Sequence, residues 1–205
     1  MVNLIVLSIT VLISIIAFNR KDVFYALSFN AYAVAHRRQW YRVLSYGFIH
    51  ANWVHLLVNM FVLWMFGGLL EKTYVYLFAT KGYFMYLLLY LSSIVVATMG
   101  DLKQYKDDYN YHAVGASGAT SAVIFAGILL YPMQKIYIFF IPIGIPAFIF
   151  GILFLIYSAY MSRRNIDNIG HNAHFYGAVY GFFFTLMFDY KLIVHFFLNI
   201  VDALS

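Results

Sequence analysis

The chain has 205 residues, 64% of them hydrophobic, 21% aromatic and only 10% charged, with a mean hydropathy of +0.79. A soluble domain carries about a quarter charged residues, so a water-soluble globule is excluded and a polytopic membrane protein remains. The net charge of +5 comes without basic clusters, which argues against nucleic acid, and the lack of cysteine removes disulfides, thiolate metal sites and a cysteine nucleophile.

A membrane-spanning helix takes about 20 mainly apolar residues, and six such stretches fit the chain. The first covers residues 2–18 and lacks the basic start and small-residue cleavage site of a signal peptide. Residues 19–49 mix Arg20, Lys21, Arg37, Arg38 and Arg42 with Tyr25, Tyr32, Trp40 and Tyr41, a composition suited to the headgroup region. The second span is expected at residues 50–70, ending at Gly67-Gly68 with Glu71-Lys72 beyond it, and the third at 83–99, closed by Gly100-Asp101. A polar stretch from Asp101 to His112 leads to the fourth span at 115–131, stopped by Pro132. The fifth is expected at 138–161, opened by Pro142 and Pro146, and the sixth at 171–188. The tail from Leu192 to Ser205 reads as an amphipathic, interfacial segment. The expected fold is all-α, six transmembrane helices in a single domain over residues 1–205.

Polar groups inside a bilayer are costly and point to function. The second span carries His50, His55 and Asn59, the fourth opens with Gly115-Ala116-Ser117-Gly118, and the sixth opens with His171-Asn172-Ala173-His174. All three spans start from the same membrane face, and at 1.5 Å per residue each group lies within about 15 Å of it. Gly118, Ala122 and Ala126 recur every fourth residue, as do Gly177 and Gly181, in line with His174. Small residues at this spacing let membrane helices approach closely, which would bring the Ser117 hydroxyl to the His174 imidazole. His55 and Asn59, four apart, share one helix face. Serine needs an adjacent base to become a nucleophile, and a tetrahedral oxyanion needs fixed donors. Ser117 with His174, beside His55, Asn59 and a backbone N–H, therefore suits acyl transfer by a Ser–His dyad without a carboxylate.

Trp40-Tyr41-Arg42, His50, the run His55-Leu56-Leu57-Val58-Asn59-Met60, Gly67-Gly68 and Glu71 resemble the start of the rhomboid intramembrane serine proteases. Gly115-Ala116-Ser117-Gly118 resembles their GxSG nucleophile motif, and the segment from Ala173-His174 through Gly177 to Gly181 resembles their AHxxGxxxG segment. The resemblance runs over about residues 38 to 188 in order. It implies a rhomboid-like bundle with Ser117 as nucleophile, His174 as general base, and His55, Asn59 and the Ser117 N–H around the oxyanion. His50, Arg42, Gly115, Gly118, Gly177 and Gly181 would be structural support. It implies transmembrane protein substrates, no cofactor and no metal, and leaves the oligomeric state open. It also implies a multi-pass protein of the cell (inner) membrane with cytoplasmic termini and an active site open to the outer face.

Three features depart from that pattern, the first being that the tryptophan of the family's Trp-Arg pair is Tyr41 here, with Trp40 one position earlier. Many bacterial members carry a tyrosine four residues after the serine, stacked on the histidine, and here that position is Ser121. The loops after the first, third and fifth spans hold nine basic residues (Arg20, Lys21, Arg37, Arg38, Arg42, Lys103, Lys106, Arg163 and Arg164), against Lys72, Lys81, Lys135 and Lys191 on the opposite side. Taken alone, that count places the termini outside. The orientation expected here follows the family instead, because interfacial helices in the first loop would hold its basic residues at the headgroups.

Other chemistries find little support. A zinc protease would need His-Glu-x-x-His, and no histidine precedes a glutamate. An aspartyl mechanism needs two intramembrane aspartates, whereas each aspartate falls in a loop or near a span boundary. His171 offers only a nitrogen ligand, with no carboxylate nearby, so no metal is expected. The remaining alternatives are an inactive rhomboid-like protein that binds membrane helices, and a small transporter.

Overall fold

Along α1 (Val2–Asn19), Asn3, Val6, Thr10, Ser14 and Ala17 are buried while Leu4, Ile5, Ile9, Leu12 and Ile16 face outward. Small and polar residues inside with large apolar ones outside suits a helix bundle surrounded by lipid. The computed structural model describes residues 1–137, 143–164, 167 and 169–205.

The mixed segment after α1 forms three short helices, α2 (Lys21–Leu27), α3 (Ala31–Arg37) and α4 (Arg42–Ser45), then a 3₁₀ turn over Tyr46–Phe48. Arg42 ties them together: its guanidinium donates to the carbonyls of Tyr25 and Ser28, both at 2.7 Å, and to the Gln39 side chain at 2.6 Å. Phe29 and Ala113 exchange backbone hydrogen bonds at 3.0 Å, and the Asn30 amide donates to the Tyr109 and Tyr111 carbonyls, so this segment is stitched to the loop before Ser117. In that loop His112 pairs with the Ser28 hydroxyl at 2.8 Å. Burial, then the Arg42 charge, lowers the His112 pKa and keeps its ring neutral.

The second span is longer than expected. α5 (Trp53–Val62), a wider π turn over Leu63–Gly67 and α6 (Gly68–Phe78) form one continuous apolar helix of 26 residues. Glu71, expected beyond its end, is buried within it, and its carboxylate accepts the Val2 N–H at 2.6 Å and the Asn3 N–H at 3.2 Å. Of the polar pair that reads as a span boundary, Glu71 instead caps the orphan N–H groups at the start of α1. The π turn has its own support, since Asn3 donates from Nδ2 to the Leu63 carbonyl at 3.1 Å and accepts from the Tyr86 hydroxyl at 2.6 Å.

α7 (Lys81–Ala97) passes with one intervening residue into α8 (Met99–Tyr105), so the helical region runs beyond the expected close at Gly100-Asp101 and Asp101 is buried. α9 (Ser117–Leu130) is the buried centre of the bundle, touching α5, α6 and α7 on its way across. Its 14 residues cover about 21 Å, less than the roughly 30 Å of a bilayer core.

The fifth span starts later than expected, and the fold is not purely helical. β1 (Lys135–Tyr137) pairs antiparallel with β2 (Gly144–Pro146), Ile136 facing Ile145, and α10 (Ala147–Arg164) begins only after them. Pro146 is the last residue of β2, and the residue before a proline is biased to extended backbone, which favours strand over helix at Ile145. Pro142 lies outside the described residues.

α11 (His171–Leu186) packs along α9, and α12 (Leu192–Leu204) covers the tail, turning Leu192 inward and Val194, Phe197, Leu198 and Val201 outward. Among the described residues, three helical stretches are long and apolar enough to cross a membrane: Val2–Asn19, Trp53–Phe78 and Lys81–Tyr105. Ser117–Leu130 and Leu192–Ala203 are shorter apolar helices.

Candidate active site

Ser117 is the first residue of α9, reached through a loop that only glycine can make at one point. Gly115 has φ of +118°, and a Cβ there would lie 2.5 Å from Cε1 and 2.8 Å from Nε2 of the His55 ring. The missing side chain lets the backbone rest on that imidazole. The Gly115 N–H donates to the Tyr46 carbonyl at 3.0 Å, and the Ala116 N–H reaches Nε2 of His50 at 3.4 Å. His50, fully buried, meets the Ser14 hydroxyl through Nδ1 at 3.0 Å, while that hydroxyl donates to the Phe48 carbonyl. The network therefore assigns the His50 proton to Nδ1 and leaves Nε2 as acceptor. His50 braces the loop in front of Ser117 from α1.

His55 and Asn59 stand on α5, whose start is capped by the Asn52 side chain accepting the His55 N–H at 2.9 Å. The rings of His50 and His55 are 5.0 Å apart and nearly perpendicular. Asn59 spends one amide hydrogen on the His55 carbonyl at 2.9 Å, and its oxygen accepts from Thr120 at 3.3 Å. Thr120 in turn belongs to the first turn of α9, sharing its hydroxyl with the Ser117 carbonyl at 2.9 Å. α5 and α9 are thus pinned together one turn below Ser117.

His174 comes from the first turns of α11. A Cβ on Gly177 would overlap the Gly118 carbonyl oxygen, one on Gly181 would overlap the Ala122 carbonyl oxygen, and one on Gly118 would sit 3.2 Å from the Ala173 carbonyl oxygen. The two backbones touch along this seam, so Ser117 and His174 flank it as the chain neighbours of Gly118 and Ala173. Among the described residues the Ser117 hydroxyl and the His174 ring make no hydrogen bond to each other, a gap common in unliganded sites whose contacts tighten around substrate.

A family model described as the Rhomboid domain matches residues 37–191. The chain belongs to the rhomboid family. It is 29% identical over 165 residues to Rhomboid-related protein 1 of Caenorhabditis elegans, covering 78% of this chain and 43% of that protein. It is 27% identical over 145 residues to RHOMBOID-like protein 12, mitochondrial, of Arabidopsis thaliana, covering 66% of this chain and 43% of that protein. The chain thus spans less than half the length of the relatives it matches. Membership together with the apolar helices makes it a multi-pass membrane protein.

Several residues around this candidate site leave no clear mark in the sequence. The ring of His174 faces Phe154 of α10, with centroids 6.0 Å apart and planes tilted by 33°, so aromatic support arrives from α10, whereas Ser121 on α9 is buried without a ring to offer. His171 is 4% exposed and stands edge-on to His174, centroids 5.9 Å apart. Against expectation, His171 does have a carboxylate neighbour: Asp167 lies 3.1 Å and 3.2 Å from its Nε2. That hydrogen bond holds Asp167 below the usual carboxylate range. The one available signal was the spacing of four residues between them. Asn172, next in sequence, donates to Asp101 at 2.8 Å and to Gln104 at 3.0 Å and pairs with Ser162, binding α8, α10 and the start of α11 through one amide. Asp101 also accepts from Tyr111 at 2.7 Å, whose phenol burial pushes up and keeps protonated as a donor. Among the described residues no three His, Asp or Glu side chains group as metal ligands.

Proposed function

We propose that this rhomboid chain is an intramembrane serine endopeptidase that cuts transmembrane segments of other membrane proteins with a Ser117–His174 dyad. The observation that carries the reading is the backbone seam at Gly118, Ala173 and Gly177, which holds the serine-bearing and histidine-bearing helix starts side by side. His174 removes the Ser117 proton as Oγ attacks the scissile carbonyl, and the resulting oxyanion is met by His55, Asn59 and the Ser117 N–H. The C–N bond then breaks, His174 returns its proton to the leaving amine, and a water activated by the same histidine hydrolyses the acyl-serine. Six spans, cytoplasmic termini and an active site open to the outer face of the cell membrane belong to the same proposal.

The test is cleavage of a model transmembrane substrate by purified protein, with labelling by a fluorophosphonate probe. Cleavage and labelling that both vanish in Ser117→Ala support the reading. A folded wild-type protein that neither cleaves nor labels would favour an inactive, helix-binding relative.

A further inference from the structure

Within the proposed protease reading, on which it rests, we infer that His171 and Asp167 are positioning residues for the catalytic base, extending the dyad to Ser117–His174–His171–Asp167. The Nε2 of His171 faces both oxygens of Asp167, so that nitrogen carries the proton and donates it. In the neutral ring Nδ1 is then an unprotonated acceptor, buried and without a partner among the described residues. A buried acceptor left unpaired is costly, so the arrangement has a use only if a donor comes to it.

The nearest ring with a donor to offer is His174: to accept the Ser117 proton on one nitrogen, its neutral ring must already carry a proton on the other, and that N–H becomes a stronger, charge-assisted donor once the ring is protonated. When His174 takes the Ser117 proton on one nitrogen it becomes an imidazolium, with both nitrogens donating. The edge-on placement of the two rings, 85° between planes, lets a modest rotation turn the second N–H of His174 onto Nδ1 of His171. No proton leaves the pair: His174 keeps it until the amine departs, His171 accepts a hydrogen bond, and Asp167 stays ionised. In three-residue serine hydrolases a carboxylate orients the histidine and stabilises its imidazolium. Here a histidine would do so, with the carboxylate one residue further out. Phe154 also lies near the His174 ring, centroids 6.0 Å apart.

Among the described residues, three titratable groups bear on this pair. His55 on α5 acts on His174 at longer range, Tyr157 on α10 stands edge-on to His171 at 5.5 Å, and Asp167 supplies the negative charge. Removing that charge makes the imidazolium less stable, so the base stays neutral to lower pH and is also weaker.

The experiment measures kcat, KM and the pH profile of kcat for wild type, Asp167→Asn, Asp167→Glu and His171→Phe, with Ser117→Ala alongside. Asp167 is partly exposed, so the asparagine and glutamate variants test the charge with little risk to folding. Expected are a fall in kcat of about tenfold for Asp167→Asn and about a hundredfold for His171→Phe, within the range of general-base catalysis. KM should be unchanged, the acid limb should move to lower pH in Asp167→Asn, and Asp167→Glu should recover most of the rate. Ser117-dependent cleavage with wild-type kcat and limb in both Asp167→Asn and His171→Phe would overturn the extension while leaving the dyad intact. Equal damage from Asp167→Asn and Asp167→Glu would also overturn it, because the charge would then be irrelevant. Cleavage that survives in Ser117→Ala would instead remove the protease reading, and the extension with it.

Discussion

The α-carbon of Gly177 lies directly against the carbonyl oxygen of Gly118, so that a side chain at Gly177 would occupy the space of that oxygen. Gly181 repeats the relationship with Ala122 one turn further along. Both obstacles are backbone atoms, which cannot swing aside as a flexible side chain can. The distance between α9 and α11 is therefore set by the absence of two methyl groups, and the separation of Ser117 from His174 is set with it.

Gly177→Val should lose most cleavage activity. Overpacking costs about 1–3 kcal/mol, while about 1 Å of displacement at reacting groups can cost about 10²-fold in rate, so activity falls further than stability. Gly181→Val, a turn away from His174, should lose comparable stability but less activity. Val179→Leu lies off the seam and should be nearly silent. Cleavage rates together with thermal unfolding in detergent check all three, and wild-type activity from Gly177→Val would refute the geometry.

The recurrence of small residues at every fourth position makes this seam legible in the sequence, because close helix approach leaves a direct mark on residue size. Other features leave marks that mislead. Glu71 and Lys72 look like the end of a span, yet Glu71 lies inside a longer helix because its carboxylate caps α1, a partner nearly seventy positions away. Local hydropathy has no access to such a partner. The run after Pro132 is as apolar as a span, so the hairpin of β1 and β2 could not be distinguished from helix by composition. Asp167 looked like loop polarity, and only the fold turns it onto His171. Phe154 was one apolar residue among many on α10, with nothing in its spacing to match it to His174.

His55 and Asn59 should contribute unequally. Asn59 already donates to the His55 carbonyl and accepts from Thr120, so much of its polar capacity is committed to joining α5 and α9. The His55 ring lies against Gly115 in the loop that delivers Ser117. Loss of one oxyanion donor typically costs about 10²–10³ in rate. His55→Ala should fall in that range and Asn59→Ala below it, measured as kcat on a model substrate; the reverse order would assign the oxyanion to Asn59.

Glu71→Ala should destabilise the protein, and Glu71→Gln should do so less. Without the carboxylate the Val2 and Asn3 N–H groups lose their acceptor inside the bundle, at about 1–3 kcal/mol for a buried unsatisfied group, whereas glutamine still offers one oxygen. Because α1 also carries Ser14, which holds His50 behind the Ser117 loop, activity should decline with stability in Glu71→Ala. Thermal unfolding and cleavage measured on the same preparations test this, and an unchanged midpoint would mean the cap contributes nothing.

The last prediction concerns Asn172, where a single atom change reverses a hydrogen bond. Its amide donates to Asp101 and Gln104, and those bonds fix the start of α11 three residues ahead of Phe175 and two ahead of His174. Asn172→Asp replaces that donor with an acceptor and sets a second carboxylate against Asp101. Two carboxylates sharing a site cannot both ionise cheaply, so one is driven to hold its proton above the ordinary aspartate range of about 4. A group whose folded-state pKa is raised contributes stability at low pH and loses it as pH rises through that value. Relative to wild type, Asn172→Asp should therefore be close to normal at about pH 4, where a shared proton restores the hydrogen bond, and clearly less stable at about pH 8. Asn172→Leu, which removes the donor without adding a charge, should show a deficit that changes less between the two. Thermal unfolding at both pH values decides the matter: an equal deficit at both for Asn172→Asp would mean that the carboxylates do not meet and that α11 is held in place by something other than this amide.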